Sequence, residues 1–144
     1  ELLNRKHNPD FSKTKQDDLN SMANGVMASK GHVHFGFGNP LNLKIDEITV
    51  NKNNNEAIKA IVDYIDKRVY ANYKLWPNNY IAADLLQKTH THKEKYTDIE
   101  KNTFVERMNK DIEGLTFEHG ESTEMYLSMY AMPVFNYEKN FGDA

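Results

Sequence analysis

The segment between Glu56 and Pro77 constrains the fold most, because its apolar residues recur at the spacing of an α-helix. Polar and charged residues fill the positions between them, so the pattern predicts a long helix with one face against a core. A proline disfavours helical geometry in the residue before it, and the helix is therefore expected to end before Trp76. The apolar stripe consists of Ile58, Ile61, Ile65, Val69 and Tyr73.

The rest of the sequence is also mainly helical in pattern. We therefore predict a mainly α fold, a helical domain with one or two short β-strands near the amino-terminal third. Residues 1 to 13 show no sustained period, which suggests an entry segment or the tail of a missing element, and the tail from Asn136 to Ala144 is expected to fray. Further helices are predicted over about Lys15 to Ser29, from Asn78 or Asn79 as cap through Leu86, from Tyr96 to Gly114 and from Ser122 to Pro133.

The predicted strand lies between His32 and Leu41. Val33, Phe35 and Phe37 alternate there with small or polar residues, which is typical of a strand with one buried face, and Gly38-Asn39-Pro40 would end it. The following residues, 43 to 50, fit either an extended segment or a short helical turn. The polar loop from 51 to 55 is expected to supply the cap of the long helix.

Composition limits the possible functions. The chain has 144 residues, enough for one domain, and 18 basic and 21 acidic residues give a net charge of −3, so no strong field favours nucleic acid. With no cysteine, disulfides, thiolate metal sites and a cysteine nucleophile are excluded. No apolar run approaches the 18 or so residues of a membrane span, and any membrane contact is expected to be peripheral.

Two His-x-His pairs, His32/His34 and His90/His92, are the metal-site candidates. Residues two apart in a strand share a face, so His32 and His34 could direct two imidazoles to one zinc ion, and the second pair could complete the ligand set. A solvated strand face carries histidines without any metal, and this simpler reading is preferred. We assign no metal, no cofactor and no catalytic residue to the chain.

Three other patterns have simple structural explanations. Gly36-Phe37-Gly38 lacks the further residues of a phosphate-binding loop, and turn geometry explains its glycines better. Acids beside His119 suit the start of a helix better than acid–base chemistry. Aromatic residues with basic neighbours could lie at a lipid surface, although packing between helices is favoured. The acids are Glu118, Glu121 and Glu124, the aromatic residues are Tyr64, Tyr70, Tyr73, Trp76 and Tyr80, and their basic neighbours are Lys67, Arg68 and Lys74.

Three stretches resemble the PlsC-like acyltransferases, which act on glycerol 3-phosphate or 1-acylglycerol 3-phosphate. The segment from Gly31 to Leu41 is similar to the strand and FGxPL turn that follow the catalytic blocks of that superfamily. Residues 68 to 82, RVYANYKLWPNNYIA, and 129 to 137, MYAMPVFNY, resemble the carboxyl-terminal part of the acyltransferases of Bacteroidetes-type bacteria. The resemblance implies transfer of an acyl group from a thioester to a glycerol-phosphate-type lipid acceptor.

The catalytic motif of that superfamily, His-x-x-x-x-Asp, does not occur in these 144 residues. None of the histidines is followed at the required distance by aspartate. The glycine-acid-arginine block that holds the substrate phosphate in the family is missing too. The positions that would carry the aspartate are Ser12, Phe37, Asn39, Lys95, Thr97 and Glu124.

The resemblance therefore implies a single domain over 1–144 that forms the carboxyl-terminal part of a longer enzyme. Residues 1–50 would be a helix and strand remaining from the acyltransferase core, and 51–144 a helical extension. Its partners would be an amino-terminal acyltransferase domain and, through that domain, acyl-CoA or acyl carrier protein and the cytoplasmic face of a membrane. The alternative is a non-enzymatic helical module for protein interaction or membrane docking.

Overall fold

The computed structural model describes residues 1–27 and 31–142. The mainly α prediction is confirmed, since the described part of the chain is built from helices and short connections. Two single 3-10 turns, Leu41–Leu43 and Lys93–Lys95, lie in the connections. The α-helices are α1 (Leu2–His7), α2 (Lys15–Met27), α3 (Ile45–Thr49), α4 (Asn54–Ala71), α5 (Pro77–Gln87), α6 (Asp98–Ile112) and α7 (His119–Phe141).

Reciprocal caps set where α4 and α6 begin. The Asn53 side chain accepts the backbone N–H of Glu56 at 3.1 Å, and the Glu56 carboxylate accepts that of Asn53 at 3.1 Å. Thr97 and Glu100 form the same arrangement at the start of α6. Each cap satisfies two backbone donors that a helix start otherwise leaves unpaired. The expected cap from the asparagine-rich loop before α4 is thus confirmed.

The start of α5 differs from the prediction, because Pro77 is its first residue and Trp76 its cap. Proline suits this position, since its backbone angle is already helical and its missing N–H would have no partner there. The predicted caps, Asn78 and Asn79, lie two and three positions after Trp76, inside the first turn of α5. The Asn79 side chain accepts the backbone N–H of Trp76 at 2.8 Å and donates to the backbone carbonyl of Tyr130 at 2.8 Å, which joins α5 to α7.

Helices α5, α6 and α7 enclose the core. Ala82, Ala83 and Ala131 are fully buried, and such small residues let the backbones of α5 and α7 approach closely. Ile81 and Val134 are fully buried beside them. From α6, the ring of Phe104 meets that of Tyr130 edge-on at 5.3 Å, a favourable aromatic geometry.

Helix α7 continues through Pro133 to Phe141, beyond the predicted end. Proline removes the hydrogen bond to the carbonyl four residues earlier, here that of Met129. Met129 is on the exposed side of α7, where solvent can satisfy its carbonyl, while Ala131 and Val134 on either side of the proline are fully buried. Burial of this face favours a continuous helix and opposes fraying of the tail.

Helix α1 was not predicted, and contacts with α7 stabilise it. Leu3 is buried, and Lys6 and His7 both approach the carboxylate of Glu121 to 2.7 Å. The ring of His7 also stacks on Phe117 at 5.4 Å. A six-residue helix has little stability in isolation, so these tertiary contacts explain an element that has no sequence period.

The predicted strand is wrong within the described residues, as the segment after Gly31 forms no β-ladder. Val33, Phe35 and Phe37 are 61%, 77% and 90% exposed. A strand needs a neighbour to pair its backbone N–H and C=O groups, and the described part of the chain offers none. Residues 45 to 49, left open by the sequence, form the helical turn α3.

Helix α2 begins at Lys15 as predicted, whereas Ser29, its expected end, lies outside the described residues. Its apolar side chains, Leu19, Met22 and Val26, are all exposed, and α2 packs against no other helix of the described chain. Gly31 has a φ of 61°, a left-handed conformation that glycine adopts without steric strain. None of the described helices has the length and hydrophobicity needed to cross a membrane.

Burial is unevenly divided along the chain. Among the described residues, fifteen of the twenty exposed large hydrophobic side chains precede Lys74, whereas ten of the eleven buried hydrophobic residues follow Tyr80. The carboxyl-terminal half therefore has its own core, and the amino-terminal half presents most of its apolar side chains to solvent.

Replacing Ile81 by alanine should lower the free energy of unfolding by roughly 2–5 kcal/mol, because it removes a fully buried side chain and leaves a cavity. The same replacement at Ile99, 79% exposed on α6, should change it by less than about 0.5 kcal/mol. Urea unfolding followed by circular dichroism measures both variants. Equal losses of unfolding free energy in the Ile81 and Ile99 variants would contradict a core that includes Ile81 and excludes Ile99.

Candidate functional site

The segment from His32 to Leu41 lies against the carboxyl-terminal end of α4. A Cβ atom built on Gly36 would be 3.1 Å from the Cβ of Asn72 and 3.2 Å from its carbonyl oxygen. These distances are tighter than most Cβ contacts, so a side chain at position 36 would require Asn72 to shift by a few tenths of an ångström, and glycine favours the close approach. The sequence suggested turn geometry instead, yet Gly36 is not among the glycines with positive φ.

Two further contacts fix this arrangement. The ring of His32 stacks on Trp76 with 5.2 Å between ring centroids and an interplanar angle of 16°. The Asn72 side chain donates to the backbone carbonyl of Arg68 at 2.7 Å, which satisfies one of the free carbonyls at the end of α4. The segment and the helix end thus form the two walls of a groove.

The groove has a volume of about 520 Å³, within the range typical of small-molecule sites. One part of its lining is aliphatic or aromatic and the other part is polar or basic. The apolar part comprises Leu41, Tyr64, Ile65, Val69, Tyr73 and Trp76. The polar part comprises His34, Asn39, Arg68, Asn72 and Lys74.

The charge in the groove has one sign. No aspartate or glutamate lines it, and neither Arg68 nor Lys74 pairs with a carboxylate of the described residues. The Lys74 ammonium lies over the Trp76 ring, 5.6 Å from its centroid. In a chain whose net charge is −3, this groove is therefore a local region of positive charge.

A second cluster of polar side chains is buried between α5 and α7. The His92 ring lies between two carboxylates, with Nδ1 3.0 Å from Oδ1 of Asp84 and Nε2 2.6 Å from Oε1 of Glu138. The His92 backbone N–H also points to both carboxylate oxygens of Asp84. We call these three residues the buried triad.

Neighbouring side chains complete the hydrogen bonding of the triad. The Tyr96 hydroxyl donates to Oδ2 of Asp84 at 2.8 Å, and the Thr89 hydroxyl donates to its Oδ1 at 3.3 Å. The ring of Tyr80 packs against that of His92, 5.5 Å between centroids. Buried charge is tolerated only when it is paired in this way.

Hydrogen bonding decides the charges of the triad. Burial opposes charge on Asp84, yet hydrogen bonds from Tyr96 and His92 hold the pKa of its carboxyl below the usual value. Burial likewise opposes charge on His92, but its bonds to Glu138 and Asp84 raise the pKa of the imidazole. Burial and the bond to Asp84 raise the pKa of Tyr96 to about 12.

The triad connects α5 and α7 through hydrogen bonds and therefore has a structural role. His92 is 4% exposed and both of its ring nitrogens are engaged, so it is not available as a general base or a metal ligand. It joins the loop after α5 to both α5 and α7. Sequence reasoning missed Asp84, although an acid within the apolar run from Ile81 to Leu86 was a signal of a paired buried charge.

The two histidine pairs do not assemble a zinc site. His32 stacks on Trp76, His34 lines the groove, His90 is exposed and His92 belongs to the triad. In residues 1–27 and 31–142, no group of three or more potential ligands is arranged to hold a metal.

The acidic and aromatic clusters have structural roles. Glu118 is the residue before α7, although its side chain makes no capping hydrogen bond, and Glu121 lies in the first turn and pairs with Lys6 of α1, in line with the helix-start interpretation. Of the aromatic cluster, Tyr64, Tyr73 and Trp76 line the groove and Tyr80 packs against the core. The ring of Tyr70 packs against that of Tyr73, with 5.8 Å between centroids. No protein-family model, curated protein or solved structure matches the chain. Function is therefore inferred from the residues and their geometry.

The raised pKa of His92 predicts a pH-dependent stability. A raised folded-state pKa contributes stability fully below the unfolded value of about 6.5 and loses it as the pH rises through the folded value. Replacing His92 by glutamine should cost roughly 3–5 kcal/mol near pH 6, because it breaks a buried ion pair, and the difference from wild type should shrink at higher pH. Urea unfolding at several pH values measures it.

The matched control is His90→Gln, an exposed histidine two positions earlier. It should change the free energy of unfolding by less than about 0.5 kcal/mol at every pH. If the free energy of unfolding that the His92→Gln variant loses relative to wild type is the same at acidic and alkaline pH, the imidazole is not charged between the carboxylates.

Proposed function

We propose that this chain is the carboxyl-terminal part of a PlsC-like acyltransferase. The enzyme would transfer acyl groups from a thioester to a glycerol-phosphate-type lipid acceptor. The catalytic histidine and aspartate would lie outside these 144 residues, which lack the His-x-x-x-x-Asp motif. The chain alone is then inactive and serves the enzyme by structure and binding.

The observation that carries the proposal is the exposed segment around Val33, Phe35 and Phe37. Its sequence resembles the strand and turn that follow the catalytic blocks of these enzymes. Its apolar side chains alternate, yet no strand of the described chain pairs with it. A neighbouring strand of an acyltransferase sheet would pair its backbone groups and bury one of its faces.

The uneven burial also supports this proposal. Helices α5, α6 and α7 have a buried core of their own, as expected of a helical extension. The residues before Lys74 carry most of the exposed large hydrophobic side chains of the described chain. Such a surface is typical of a part that packs against another domain, and an amino-terminal acyltransferase domain would cover the apolar side chains of α2 and of the segment around Phe35.

We place this enzyme at the cytoplasmic face of a membrane, where its lipid acceptor lies. Acyl-CoA or acyl carrier protein would reach it through the amino-terminal domain. The absence of a spanning helix in the described residues fits a peripheral attachment. The exposed apolar face of α2 also suits the alternative, a non-enzymatic interaction module.

The experiment begins with the residues encoded before Glu1. The acyltransferase proposal expects a His-x-x-x-x-Asp motif there, and expects the intact product to transfer acyl groups from acyl-CoA to glycerol 3-phosphate or its 1-acyl derivative. Replacing the motif histidine by alanine should abolish the transfer. An intact product without the motif and without transfer would favour the interaction module.

Replacing Phe35 by aspartate tests whether the segment, which is exposed in the 144-residue chain, becomes a buried strand in the intact enzyme. In the 144-residue chain the change should alter the free energy of unfolding by less than about 0.5 kcal/mol, because the ring is exposed. In the intact enzyme it should cost roughly 3 kcal/mol or more, because it would bury an unpaired charge in a sheet. Thermal unfolding of both proteins measures this, with Ile99→Asp as an exposed control. An equally small effect in both would argue against a strand.

A further inference from the structure

The groove beside α4 has a lining that matches one kind of ligand. Arg68 and Lys74 supply two positive charges without carboxylate partners among the described residues. Leu41, Ile65 and Val69 supply an aliphatic wall in the same groove. We propose that this groove binds a phosphate ester attached to an aliphatic chain.

The charge of the groove favours phosphate over other anions. A phosphate monoester carries a charge near −2 at neutral pH, which two cations can balance, whereas a fatty-acid carboxylate carries only −1. The planar guanidinium of Arg68 can donate two parallel hydrogen bonds to phosphate oxygens, and the ammonium of Lys74 acts as a point charge. The amide of Asn39 lines the same groove and adds a neutral donor.

The shape and the apolar wall favour an aliphatic tail. The volume of about 520 Å³ exceeds what a phosphate group alone occupies, and the remaining space is bounded by Leu41, Ile65 and Val69. Burial of methylene groups against this wall would add about 0.8 kcal/mol each before ordering costs, which is about a fourfold gain in affinity. Inorganic phosphate should therefore bind more weakly than an alkyl phosphate.

This site is distinct from the phosphate-holding block that the resemblance places outside the chain. It also stands apart from the proposed acyl transfer, because binding is measured on the 144 residues without any reaction. If the groove does not bind the ligand, the acyltransferase proposal still stands. If the intact protein does not transfer acyl groups, the proposal that the groove binds a phosphate ester still stands.

The single tryptophan of the chain, Trp76, lines the groove and reports binding by its fluorescence. The 144-residue chain is titrated with decyl phosphate below its micelle concentration, with inorganic phosphate and with decyl maltoside, which has the same tail and no charge. We expect saturable binding of decyl phosphate, with an affinity at least about tenfold above that of either other probe. An equal response to decyl maltoside or to inorganic phosphate would overturn the proposal.

Charge substitutions test the residues. Arg68→Gln and Lys74→Gln should each weaken decyl phosphate binding about tenfold or more, because each removes a charged hydrogen-bond donor. Lys67→Gln removes the same charge from the neighbouring position of α4, outside the groove lining, and should change the affinity by less than about twofold. All three side chains are exposed, so the fold should persist, and circular dichroism checks it. Equal effects of all three would overturn the proposal.

Vesicles distinguish the two sources of the ligand. The chain is mixed with phosphatidylcholine vesicles that do or do not contain phosphatidate. If it sediments only with the vesicles that contain phosphatidate, the ligand is a membrane headgroup. Binding of decyl phosphate without cosedimentation would assign the groove to a phosphate ester that enters from solution. Cosedimentation with both kinds of vesicle, undiminished in Arg68→Gln, would overturn a phosphate-specific groove.

Discussion

The close packing of α5 against α7 is the constraint on which the rest of this structure depends. Fully buried alanines on both helices let the two backbones approach, and Ile81 and Val134 fill the space beside them. The buried triad lies at the same interface and adds directional hydrogen bonds to an otherwise apolar contact. Van der Waals packing thus stabilises the pair of helices, while Asp84, His92 and Glu138 define how the loop between α5 and α6 is placed.

The position of the groove depends on this core. Trp76 caps α5 and at the same time stacks on His32, so the helix pair fixes one end of the amino-terminal segment. Gly36 then allows the segment to lie directly on the end of α4. A basic and aliphatic groove is formed by residues that are far apart in sequence, and it belongs to the half of the chain that has little core of its own.

The sequence predicted most helices because apolar period and capping are local properties. The starts of α2 and α4 followed from side chains within four residues of each helix end, whereas α6 begins at Asp98, two residues after the predicted Tyr96. Errors arose where distant contacts decide the outcome. Helix α1 depends on Glu121, and the passage of α7 through Pro133 depends on burial against α5. The strand after Gly31 was expected from alternation alone, but pairing also needs a neighbour.

The site was less predictable than the fold. The sequence showed Arg68, Lys74 and Trp76 as one cluster, yet it could not show that His34 and Leu41 face them across a groove. It offered His92 as a metal ligand, whereas the structure engages both ring nitrogens with carboxylates. By itself the sequence determined the helix class, the cap of α4 and the exclusion of cysteine chemistry, because these depend on composition and near neighbours. Only the tertiary structure decided which charges are buried together and which are left unpaired, because burial and pairing are set by residues distant along the chain.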